Sequence, residues 1–287
     1  MTKGKRFLTV LLSVIIVVCS LFCAMELTTR QAKANWAFWY AYDKYEKKDL
    51  SEILTRFESG LSQADYDLLY AQTGLTKLGV DGLLERGESG RNELLAIQNF
   101  YMKKHEIKEN SFAPYSWMDE LKGVEFGIFG ALEDGDIILT ATTSVSFFRF
   151  GHAVIVVDGV METVCEAYTV GTKSALIAAN AAVGFLASYM VLRPTKIPKE
   201  VRTQVASYAK ESLVGLPFDF TVGVLSKKYP EQIKKTQCAH LCWYAYKQYG
   251  YDIDGNGGCV VKPRDLFRSS YMEVVQIFGF NPQKLWN

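Results

Sequence analysis

The pattern of apolar and polar positions divides the chain into three textures. From Phe7 to Met25 the residues are almost all apolar, preceded by Lys3, Lys5 and Arg6. From about residue 36 to residue 125, apolar residues recur at helical spacing and charge is scattered over the intervening faces. From about Gly130 short apolar runs alternate with turn residues, the texture of strands. In the middle segment Ser62 and Asp65 predict a helix start of the capping-box type, and Gly74 its end. A further helix is predicted in VDGLLERGESGRNELLAIQNFYMKKHEI, with Leu94, Leu95, Ile97 and Phe100 to Met102 as its apolar face. Lys103, Lys104 and His105 fall near its end, where cations suit the helix dipole. KENSFAPYSW reads as a linker.

In the third segment EDGDIILT is a turn feeding a strand, GHAVIVV a second strand and METVCEAY its return, with Asp158-Gly159 as a two-residue hairpin turn. SYMVLRP gives a fourth strand and MEVVQIF a last one. Between them, PKEVRTQVASYAKESLVG predicts an amphipathic helix with Pro198 at its start and Gly215 past its end. TQCAHLCWYAYKQYG predicts a helix from near Thr236, its N-cap, to Gly250, with Trp243, Tyr244 and Tyr246 in the core. SALIAANAAVGFLASYM reads as buried helix or loop before a strand, because Asn180 interrupts it. The aromatic cluster Trp36, Phe38, Trp39, Tyr40 and Tyr42 reads as packing between segments.

Composition narrows the class. The 287 residues are 49% hydrophobic and 22% charged, which is globular, and the net charge of +1 gives no case for nucleic acid. The basic start, the apolar run and Ala32-Lys33-Ala34 before Asn35 predict a secretory signal peptide over residues 1–34. Nineteen apolar residues also suffice for an uncleaved anchor, so the chain is read as secreted or membrane-anchored. Residues 35–125 form a helical extension and 126–287 the second domain. Four cysteines follow the leader: Cys165, Cys238, Cys242 and Cys259. Cys165 and Cys259 read as structural, with a disulfide between them as the alternative.

Cys238 lies at the first turn of its predicted helix, where free amides and the dipole favour thiolate. A thiolate nucleophile needs a proton donor for the leaving group, and His152, at the mouth of an apolar strand, is the available partner. Glu166, on the returning strand, is the candidate to orient the imidazole, with Glu162 as substitute. A two-residue turn at Asp158-Gly159 sets His152 opposite Cys165, so Glu166 reaches the ring only if the hairpin is bulged or its loop longer. Competing readings attach to each residue: a buried core thiol for Cys238, a packed strand histidine for His152, a surface ion pair for Glu166. Cys242 shares a helix face with Cys238, but cysteines four apart on a helix rarely bridge. His240 points about 200° away from Cys238 and reads as packing or surface. One straight helix does not aim Cys238, His240 and Cys242 at a single zinc. Asp136 reads as a turn former and Asp219 as a possible lining residue.

DGDIILT, FGHAVIVVDG, EAYTVG, GLPFDF and TQCAHLCWYAYKQYGYDID together resemble the YiiX/YebB-like, circularly permuted branch of the NlpC-type papain-like cysteine hydrolases, over roughly residues 130 to 275. His152 preceding Cys238 matches the permuted order. The resemblance implies an α+β, permuted papain-like fold, with an antiparallel sheet packed on the cysteine helix behind a helical extension. It implies Cys238 as nucleophile, His152 as general base and an orienting residue that maps best onto Glu166, with no cofactor and no metal. It implies a peptide or acyl-amide substrate, with cell-wall stem peptides first. The likeness of this branch to lecithin–retinol acyltransferase-like proteins gives a lipid or acyl-amide reading and membrane-surface association as the runner-up. An exposed apolar wall at residues 174–190 would favour that runner-up. A non-catalytic binding module is the third reading. The extension is expected to be able to cover the cleft.

Overall fold

The computed structural model describes residues 3–35, 38–56, 60–108, 116–124, 126–145 and 150–286. Trp36 and most of the expected linker, residues 109–115, lie outside them. In chain order the elements are α1 (Lys3–Asn35), α2 (Ser51–Thr55), α3 (Gln63–Thr73), α4 (Lys77–Leu84), α5 (Glu88–Tyr101), β1 (Ile107–Lys108), β2 (Ser116–Met118) and β3 (Glu120–Leu121). Then follow β4 (Ile137–Thr140), β5 (Thr143–Val145), β6 (His152–Asp158), β7 (Thr163–Glu166), β8 (Ala175–Ala178), β9 (Tyr189–Arg193), α6 (Lys199–Ser212), α7 (Cys238–Lys247), α8 (Pro263–Phe267) and β10 (Glu273–Phe278). The class is α+β.

Six strands form one antiparallel sheet in the order β10-β9-β4-β6-β7-β8. Its central strands are buried on both faces, which is why they read as unbroken apolar runs. Alternation divides their side chains between two layers. Ile137, Leu139, Ala153, Ile155 and Cys165 meet Val205 and Ala209 of α6 and Leu241, Cys242 and Ala245 of α7. Ile138, Val154, Val156 and Val164 on the opposite face meet Tyr40, Tyr101, Phe129, Val183 and Leu186. The cysteine helix therefore covers one face and aromatic residues of the N-terminal segment help to cover the other. Phe38, Tyr40 and Tyr42 stack in series there, and Tyr40 also meets Phe278.

Helices α3 to α5 share a third cluster of Leu69, Leu75, Val80, Leu83, Leu94 and Ile97. They dock on β10: Thr76 N donates to Val275 O and Ile277 N to Gly74 O, both at 2.9 Å. Ser62 and Asp65 form the capping box, and Gly74 is the left-handed cap with φ of 71°. A Cβ at Gly74 would lie 2.1 Å from Ile277 O, so one glycine both ends α3 and admits the β10 backbone. Besides this docking, α5 and the turn before it reach the hairpin end of β6 and β7, where Glu162 has Arg86 and Glu93 as charged neighbours. That is the end of β6 opposite His152, so α3 to α5 do not lie over His152. The strands β2 and β3 do come nearer the second half of the chain: β2 pairs with β5, and Leu121 N donates to Phe185 O.

Several local expectations change. The hairpin between β6 and β7 has a longer connection than two residues, with a bulge, and Ile155 pairs with Cys165. The Asp158 carboxylate accepts from Met161 N and Asp134 accepts from Gly159 N, which hold this wider turn. The first residues of the Ser174–Met190 stretch form β8, a largely exposed edge strand, and not buried helix or loop. Beyond it Ala182, Val183 and Leu186 are buried. Leu95 sits on the open side of α5 and is 36% exposed. His105 is buried and hydrogen bonds Phe100 O at 2.9 Å. Burial pushes its pKa down, so it caps the end of α5 as a neutral ring and not as a cation.

At one end of β4, Asp136 accepts from Glu133 N at 2.9 Å, which is the expected turn role. It is also fully buried and pairs through two hydrogen bonds, 2.9 and 2.8 Å, with Arg193 of β9. Glu133 bridges Arg193 and Arg202, tying β4, β9 and α6 together. α1 stands apart from the core: its segment Gly4–Ala24 is long and apolar enough to cross a membrane, and none of it is buried.

Candidate active site

The site begins with how α7 starts. Gln237, not Thr236, is its N-cap: the Gln237 side-chain oxygen accepts from Ala239 N at 3.0 Å. The same oxygen accepts the Cys238 thiol at 3.4 Å, and Gln237 Nε2 donates to Val261 O at 2.6 Å. Thr236 is buried and its hydroxyl faces His240 Nδ1 at 2.9 Å instead. Ala239 to Tyr246 are all buried, as expected for Trp243, Tyr244 and Tyr246, so half-buried Cys238 is where the forward end of this helix meets solvent.

His152 opens β6 opposite Thr140 and is 4% exposed. Its Nε2 lies 3.0 Å from Glu166 Oε2, and Cys238 is the other ionisable group close enough to act on the charge of the ring. With Nε2 engaged by the carboxylate, the other ring nitrogen is left for the thiol. Burial alone would lower the imidazole pKa, but the hydrogen bonds and charges of Cys238 and Glu166 outweigh it and raise it to about 10. At neutral pH the ring is therefore held as imidazolium.

The hairpin register explains how Glu166 gets there. Ile155 pairs with Cys165 and Val156 with Val164. Continuing that register puts Glu166 opposite Val154, on the face of His152 and diagonal to it, within reach of a long side chain. The two-residue turn would have turned Glu166 to the other face; the wider connection and bulge remove that obstacle. The register also sets Tyr168 opposite His152, and its ring stands edge-on to the imidazole at 6.0 Å and 88°. Tyr168 Oη donates to Met118 Sδ at 3.7 Å, so the end of β2 reaches the rim of the site. Gln237 and Tyr168 are the neighbours that the sequence reading misses.

The remaining candidates lie elsewhere. Glu162 sits in the hairpin loop, where its charged neighbours are Glu93 and Arg86. Asp219 is tied to Lys235 and Thr221, which pull its pKa down to about 2. His240 is a packed histidine: Nδ1 meets Thr236 and Nε2 meets Lys228 O at 2.8 Å, and burial lowers its pKa to about 4. All six cysteines are free thiols. Cys165 and Cys242 are buried, and burial pushes their pKa up, to about 12 for Cys165. Cys259 is exposed and unbridged, so the alternative of a Cys165–Cys259 disulfide is not realised.

No family model matches the chain, and no curated protein matches it. Among solved structures, the crystal structure of metalloprotein yiiX from Escherichia coli O157:H7, DUF1105, is similar over 50% of this chain and 96% of its own, with a TM-score of 0.38 and 17% identity.

Proposed function

We propose that the chain is an exported cysteine hydrolase that cleaves an amide bond through a thioester on Cys238. The observation that carries this reading is His152, which meets the Glu166 carboxylate at 3.0 Å and whose positive charge Cys238 and Glu166 together favour. In the reaction the Cys238 thiolate attacks the substrate carbonyl carbon. The His152 imidazolium gives its proton to the leaving amine as the carbon–nitrogen bond breaks. Neutral His152 then takes a proton from water, whose oxygen attacks the thioester and releases the acid, restoring thiolate and imidazolium. Glu166 keeps the ring oriented and stabilises its charge. The Cys238 backbone N–H, at the helix start, is one oxyanion donor. Residues 126–287 carry this chemistry.

Export and a cysteine–histidine site in this permuted arrangement favour cell-wall stem peptides or other short peptides as substrate. The lipid reading loses the support asked of residues 174–190, since Ala182, Val183 and Leu186 are buried and Leu176 is exposed on the edge strand alone. The metal named for the yiiX structure is not carried over. Among the described residues no three His, Cys, Asp or Glu side chains are grouped to hold a metal ion, and His240 commits both ring nitrogens to protein partners. Incubation with wall stem peptides tests the reading: new amines should appear with the wild type and fall by at least about 10³-fold in Cys238→Ala. Equal release by the variant would remove Cys238 from the chemistry.

A further inference from the structure

Residues 219–236 form a loop that returns to the first turn of α7. Phe218 bridges Thr236 in parallel, and Asp219 N donates to Thr236 O at 2.8 Å. The loop has a braced tip. Val224 N and Leu225 N both donate to Thr221 O at 2.9 Å, and Gly223 N donates to Ser226 O at 3.1 Å. Gly223 has φ of 89°, and a Cβ there would lie 1.9 Å from Cys259 O, so the tip rests directly on neighbouring backbone. This path turns Val222 inward, 3% exposed, and presents Val224 and Leu225 to solvent at 67% and 78%. Adjacent aliphatic side chains held outward on a braced turn are not the exposure of a frayed loop.

Charge surrounds the tip. Val222, Ser226, Lys227, Pro230, Lys234 and Lys235 help to line a cavity of about 270 Å³. Lys235 pairs with Asp219 and Lys228 with Asp254. Lys227 and Lys234 are exposed and make no ion pair among the described residues; exposed Glu231 is the opposing charge between them. Two aliphatic side chains beside free ammonium groups match the layering of an anionic bilayer, with apolar chains beneath phosphate headgroups. The segment Gly4–Ala24 is long and apolar enough to cross a membrane, so the chain meets a bilayer during export or as an anchored protein.

We propose that the Thr221–Ser226 turn is a membrane-contact element. Val224 and Leu225 enter the acyl boundary of an anionic bilayer, and Lys227 and Lys234 meet its phosphates. The turn lies in the loop that leads into Cys238, so the contact sets the candidate site close to the lipid surface. The inference stands on the loop and does not depend on Cys238 being a nucleophile.

The test is amide hydrogen exchange on the full chain, reconstituted in phosphatidylcholine vesicles with and without about 30% phosphatidylglycerol. The same full chain, with its segment Gly4–Ala24 retained, is reconstituted in both vesicles, so a difference in exchange at residues 221–229 reads the response of the turn to lipid charge. Contact predicts uptake there slowed at least about threefold on the anionic vesicles, and normal uptake in the double variant Val224→Asp, Leu225→Asp. Both side chains are exposed, and unchanged exchange in buried β4 and β6 verifies that the variant is folded. Equal uptake on the two vesicles overturns the proposal. So does slowing that survives in the double variant. Slowing that follows protein concentration and not lipid composition also overturns it, because the occupant is then a second copy of the chain.

Discussion

His152 owes its charge to its neighbours. Burial disfavours imidazolium, and the Cys238 and Glu166 partners reverse that, so the ring pKa is raised to about 10. A raised folded pKa has a definite sign: the stabilisation is fully present below the unfolded value of about 6.5 and is lost as pH rises through about 10. Glu166→Gln removes one anionic partner and should lower the midpoint by about one to three pH units, as followed by NMR titration of the His152 ring. An unchanged midpoint would take Glu166 out of the pair. Cys238 and His152 are legible in the sequence because a helix start and a strand start are both visible there. Gln237 is not, because Thr236 is the residue that capping preference selects, and only the fold shows its hydroxyl committed to His240. Tyr168 is hidden for another reason: its place beside His152 depends on a register that residue types do not specify.

At the scale of elements, β4, β6, β7, β9 and β10 are legible as apolar runs between turn residues. β8 is not, because its apolar residues continue into a buried segment that masks the strand. The strands β1 to β3 are two or three residues long, too short for any periodicity to mark them. The β6–β7 hairpin shows how much rests on one turn, since Asp158-Gly159 predicts the hairpin but not the extra loop residues that bring Glu166 to His152. Asp136 carries an element-scale prediction. Asp136→Ala leaves Arg193, nearly buried, without its two-bond partner, a change that costs about 3–5 kcal/mol. Urea unfolding should register that loss as a lower midpoint with an unchanged slope. Asp136 lies at the opposite end of β4 from Thr140, which pairs with His152, so Cys238 labelling in the folded variant should match the wild type. Loss of labelling without loss of stability would mean that the brace acts on the site directly.

At the scale of the molecule, the antiparallel sheet brings together two residues 86 positions apart. α7 packs with β6 in one buried layer, and the N-terminal helices seal the β10 edge instead of closing over the site. The helices and strands of the second half follow from the chain's own pattern and the sheet on the cysteine helix from the resemblance, whereas the docking of α3 to α5 rests on backbone contacts to β10 that no residue type announces. The pairing of Cys238 with His152 is the claim on which the functional account turns. Its most direct test is iodoacetamide labelling of every cysteine in the full chain, mapped by mass spectrometry from pH 4 to 9, in the wild type and in His152→Ala. An ion pair predicts labelling of Cys238 already at acidic pH, slowed in the variant, while buried Cys165 and Cys242 stay unmodified. Labelling of Cys238 only near the ordinary thiol pKa of about 8.5, identical in the variant, would contradict the pair and favour the non-catalytic binding-module reading.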